Sequence, residues 1–132
     1  MKKHVKKSFL FIFFLALLVS CSLDAEYYDL KGMITKIDAP DTVQLNQKIY
    51  VNVTFNAGTD GCATAPYLNT SWIGNEIMVE GRYSYPKNAG VCPQYIPSAT
   101  LSFSFVAEKI GEIILRANDE SGIADTIQVV MP

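Results

Sequence analysis

Histidine occurs once in the 132 residues, at position 4, and tryptophan once, at position 72. A lone histidine at the amino end leaves the rest of the chain without the side chain most used for proton transfer near neutral pH. No Gly-x-Ser-x-Gly, phosphate-binding loop or zinc spacing occurs. Cysteine is found at positions 21, 62 and 92, with no histidine near the last two to complete a zinc site. The longest apolar run, residues 9–19, has eleven members, against the roughly 20 that a spanning helix needs. After residue 21 no segment carries a sustained 3.6-residue period, which excludes a helical bundle. Basic residues are few: 11 Lys and Arg stand against 13 Asp and Glu, and four of the 11 fall within the first seven residues.

Those four, Lys2, Lys3, Lys6 and Lys7, precede the short apolar run, and the pairing is that of a secretory signal peptide. The run closes on Leu18-Val19-Ser20-Cys21. This ending resembles the lipobox of bacterial lipoproteins. The resemblance implies that the Cys21 thiol receives a diacylglyceryl group, that residues 1–20 are removed, and that Cys21 becomes the acylated first residue. One acyl chain binds a bilayer marginally, at roughly 0.8 kcal/mol per buried CH₂, whereas two or three on one residue anchor it stably. The implied location is the cell envelope, at the outer membrane. Acidic Asp24 and Glu26 behind the cysteine give a partial likeness to surface lipoproteins of Bacteroidota, in which the acidic cluster is denser.

Removal of residues 1–20 leaves 112 residues, enough for one domain. Seven basic residues then face thirteen acidic ones, a net charge of −6. That balance argues against nucleic acid as a partner and against electrostatic attraction to anionic lipid. Outside the cytoplasm, the remaining pair Cys62 and Cys92 reads as a disulfide. Closing that loop is worth roughly 3–4 kcal/mol of chain entropy.

Residues 21–32, the lipidated cysteine and its followers, read as a tether; residues 33–132 read as the domain. Period-2 alternation is clearest at 48–56, where Ile49, Val51, Val53 and Phe55 share one face. It recurs at 76–85, 100–108, 112–118 and 124–131, with weaker strands at 33–38 (continued at 42–45) and 67–73. The fold class is therefore all-β, with seven strands in two sheets. The closing pattern, an aromatic strand, a glycine turn, a hydrophobic strand, a polar hairpin and a last strand, resembles bacterial immunoglobulin-like domains. The resemblance implies an immunoglobulin-like β-sandwich over about residues 33–131. Here, however, Cys62 and Cys92 fall in loops, so their bond is expected to staple one end of the sandwich without pinning the sheets together.

Candidate sites are sparse. Glu76 and Glu80 share a strand face and read as solvated. Asp119, Glu120 and Asp125 lack the alternating spacing of calcium loops, so neither a metal nor a cofactor is expected. Trp72 reads as a core anchor. Tyr67, Tyr85, Tyr95 and Ile96 lie on or beside the two cysteine loops and form the candidate binding surface, because aromatics on rigid loops dominate recognition. The expected function is a lipid-anchored, non-catalytic binding or scaffolding module, with an envelope protein or glycan as partner. One alternative is a protease inhibitor presenting the disulfide-linked loops, although the loop motifs of chagasin-type inhibitors are missing. Another is a structural accessory subunit, which would pool Tyr50, Met78, Val106, Ile114 and Val130 in one outward patch.

Overall fold

The computed structural model describes residues 26–132. The signal segment, residues 1–20, and Cys21 lie outside the described residues. Nine strands and no helix are found among those described: β1 (Tyr27–Gly32), β2 (Ile34–Asp38), β3 (Thr42–Gln44), β4 (Lys48–Asn56), β5 (Thr64–Ile73), β6 (Glu76–Pro86), β7 (Ser98–Val106), β8 (Gly111–Ala117) and β9 (Ala124–Val130). They form two sheets. The larger contains β1, β3, β5, β6, β8 and β9, and the smaller is ordered β2-β4-β7.

Nine strands replace the expected seven for two reasons. Residues 27–32, expected as tether, pair antiparallel with the second half of β6, from Tyr27 opposite Pro86 to Gly32 opposite Gly81. The first expected strand also breaks at Ala39-Pro40-Asp41. β2 pairs with β4 in the small sheet, while β3 pairs in parallel with β9 in the large one. Proline has no amide hydrogen to give to a ladder, so the chain changes sheets where that loss is harmless.

The core lies where the alternating faces meet. Val51, Val53 and Phe55 of β4, Val79 of β6, Leu115 of β8, and Ile127 and Val129 of β9 are fully enclosed. β4 shows strict alternation because it is central in its sheet and solvated on its outer face. The sheets touch where the Phe55 ring lies on Gly81; a Cβ at Gly81 would run into that ring.

β6 is the spine of the large sheet. β5 occupies one of its edges. The other is shared by β1, along residues 81–86, and by β8, along residues 76–79. The β6–β8 pairing is parallel, unlike the antiparallel sheets of an immunoglobulin sandwich. β7 is an edge strand, so its inward Leu101, Phe103 and Phe105 are only half-buried, not enclosed as their alternation suggests. Met131, the last residue of the expected strand 124–131, lies beyond β9 and is exposed.

Candidate functional site

Cys62 and Cys92 are joined, with Cα atoms 5.3 Å apart. Cys62 lies in the loop between β4 and β5, and Cys92 in the loop between β6 and β7. The bond therefore ties together the two ends of the β5–β6 hairpin at one tip of the sandwich, as the sequence suggests. Asp60 organises the tip. One carboxylate oxygen accepts the Cys62 N–H at 2.9 Å and the other accepts the Tyr85 hydroxyl at 2.7 Å. The bond to Asp60, followed by burial, pushes the Tyr85 hydroxyl pKa up. Asp60, Cys62 and Cys92 also bring three potential ligand atoms together, but sulfurs joined in a disulfide offer no thiolate to a metal.

The four candidate surface residues separate into three environments. Tyr95 and Ile96 are exposed on the disulfide-held loop, and fully exposed Val91 stands beside them. Tyr85 is half-buried, and its hydroxyl is engaged by Asp60. Tyr67 lies on the outer face of the large sheet. Its hydroxyl donates to Asp29 at 2.9 Å, and the Arg82 Nε donates to the same carboxylate at 3.2 Å. Tyr67 thus belongs to a polar network across β5, β6 and β1, not to the loop surface. The cause is its register: it is opposite Arg82 on β6, on the face opposite the core.

That network also satisfies the carboxylates. The Tyr67 hydroxyl and then Arg82 hold Asp29 below the usual carboxylate range. Burial pushes Glu80 up, but hydrogen bonds from Asn69 and Asn118 and the charges of Lys31 and Arg82 outweigh it and hold it down. Glu76 pairs with Arg116 at 3.4 Å. Burial likewise raises Asp119, but the Ile34 N–H at 2.8 Å and the Ser121 N–H at 2.7 Å bind its two oxygens and lower it overall. Asp119 therefore joins the last hairpin to the start of β2.

Since Asp29, Glu80 and Asp119 all titrate lower in the folded state, the unfolded chain takes up protons first on acidification. Their stabilisation is complete above the unfolded values, about 4, and is lost as pH falls through the folded ones. The thermal midpoint is expected to hold from pH 7 to about pH 5 and then drop, and Asp119→Asn is expected to flatten that acid limb. Scanning calorimetry across the range checks both; an acid limb unchanged in the variant would contradict the assignment.

A second surface escapes sequence reasoning. Trp72, expected as a core anchor, is 53% exposed. It faces inward from β5, opposite Ile77, but β5 is the last strand of its sheet and overhangs the edge of the small sheet. The indole meets Phe105 of β7 edge-on, with centroids 5.5 Å apart. Phe103 stacks on Phe105 at 6.2 Å. Among the described residues, β5 and β7 each pair on one side only. The opposite flank is closed by the chain itself as it passes from β2 to β3. The β5/β7 flank therefore combines half-exposed aromatics with two open strand edges. The hint in the sequence was negative: residues 64–73 show no clean apolar alternation.

The five outward apolar residues do not pool. Met78, Ile114 and Val130 belong to the large sheet, and Tyr50 and Val106 to the small one. No family model matches the chain, and no curated protein or solved structure matches it.

Proposed function

We propose that this is a lipid-anchored cell-envelope protein whose immunoglobulin-like β-sandwich works as a non-catalytic binding or scaffolding module at the outer membrane. The anchor reading rests on the basic start, the short apolar run and Leu18-Val19-Ser20-Cys21. The immunoglobulin-like reading is supported by the β2-β4-β7 order and the adjacent β8 and β9, with the parallel β6–β8 pair as a variation. The non-catalytic reading is supported by carboxylates already committed to cations and amides, such as Asp29, Glu76 and Asp119.

One observation carries the binding role: Trp72 and Phe105 stand half-open between two free strand edges. An extended segment laid there would gain main-chain hydrogen bonds from an edge, and its apolar side chains would cover the aromatics. A photo-crosslinking residue at position 72, in intact cells, is expected to yield one discrete adduct. The same residue at position 128, on the outer face of β9, is expected to yield none. Trp72→Ala is expected to weaken binding of the captured partner about tenfold or more, the scale of an aromatic anchor. No adduct at 72, or the same adducts at both positions, would refute the flank as the binding surface.

A further inference from the structure

The chain enters the domain at the disulfide tip. The Lys87 N–H donates to the Glu26 carbonyl at 3.0 Å, fixing the entry beside the loop that carries Cys92. Five residues lead from Glu26 back to Cys21, a reach of at most about 18 Å. The opposite end is far from that point: β7 leads away from the tip for nine residues, about 30 Å at 3.3 Å per residue.

The tip is also apolar. Tyr28, Met33, Val91, Tyr95 and Ile96 are all exposed there, and Met33 and Ile96 line one shallow recess with Tyr83 and with Lys31, whose ammonium is engaged by Glu80 and the Asn118 carbonyl. Residues 57–63 and 87–97 contain two charges, Asp60 and Lys87. Both are engaged: Asp60 accepts the Tyr85 hydroxyl, and Lys87 pairs with Glu26 at 3.4 Å and lies over the Tyr28 ring. At the far end, exposed Ile110 follows directly on Glu108 and Lys109.

We propose that the tip is a second membrane contact, in which Tyr28, Val91, Tyr95 and Ile96 rest in the headgroup and upper acyl region of the same bilayer that holds Cys21. The proposal builds on the lipid-anchor reading. Tyrosines suit this depth because they present an apolar ring and a polar hydroxyl at the interface. The contact is apolar in character, as the net charge of the exported chain requires. The acyl chains already supply the affinity, so the tip sets orientation: it stands the domain upright and turns the β5/β7 flank sideways, clear of the lipid.

The test uses the full lipidated chain in vesicles of phosphatidylethanolamine and phosphatidylglycerol with brominated acyl chains. In a Trp72→Phe background, a single tryptophan is introduced by Ile96→Trp, by Val91→Trp, or at the far end by Ile110→Trp. Val91 is fully exposed, so its replacement leaves packing intact. Bromines are expected to quench emission at 91 and 96 by about half, and at 110 by less than about a tenth, as burial 5–10 Å into the interface requires. Equal emission at all three positions in a chain that floats with the vesicles and carries its lipid by mass would overturn this proposal alone. A chain without lipid that fails to float would overturn the anchor reading, and this proposal with it.

Discussion

Replacing both Cys62 and Cys92 with alanine is expected to destabilise the domain by about 3–4 kcal/mol and to lower its thermal midpoint by roughly 12–25 °C. The bond closes a segment with a sequence separation of 30 that contains all of β5 and β6. β6 is the strand with which β1, β5 and β8 all pair, so the freed chain gains entropy where the large sheet is assembled. The bond also holds Asp60 against Tyr85. Without it, hydrogen exchange is expected to rise first in residues 57–63 and 87–97 and along β5, which is exposed over almost all its length. The core of β4, β8 and β9 should stay protected until global unfolding, because its residues are enclosed between the two sheets and reach solvent only when these separate. A midpoint shift of less than about 4 °C, below what a loop of this length supplies, would mean that the tip is held by packing instead.

The second large effect lies at the contact between sheets. Phe55 is enclosed, with its ring on Gly81, and Phe55→Ala is expected to cost about 3–5 kcal/mol. Gly81→Ala drives a methyl into that ring, and Gly81 is buried with no room to relieve it; the cost is at least about 1–3 kcal/mol. The two changes oppose each other in volume. In the double variant the new methyl enters the space the ring has left, so the costs should fall short of adding, by about 1–3 kcal/mol. Urea unfolding of the four proteins measures this directly. Additivity within about 0.5 kcal/mol would show that Phe55 and Gly81 do not face one another as described.

Central strands were the legible part of the fold. The bounds of β4 can be read directly from its alternation, because a strand covered on one face and solvated on the other leaves that imprint. β8 and β9 were readable to within a residue for the same reason. β1 was not: its pairing with β6 is long-range, and five of its six residues are exposed, so no apolar period marks it. Trp72 misled because a large aromatic on an inward face is usually enclosed, whereas here the large sheet is wider than the small one. The exposure of Tyr95 and Ile96 was legible from their loop position. The engagement of the Tyr67 and Tyr85 hydroxyls was not, since Asp29 and Asp60, which accept them, are remote in sequence.

The protein's location and its orientation at the membrane both depend on Cys21. The most direct measurement is the intact mass of the protein extracted from the membranes of its own cells. The account predicts a chain beginning at Cys21 that carries a diacylglyceryl group and an amide-linked acyl chain, and that leaves the membrane only with detergent. A chain recovered in the soluble fraction with an unmodified cysteine, or one still carrying residues 1–20, would contradict it.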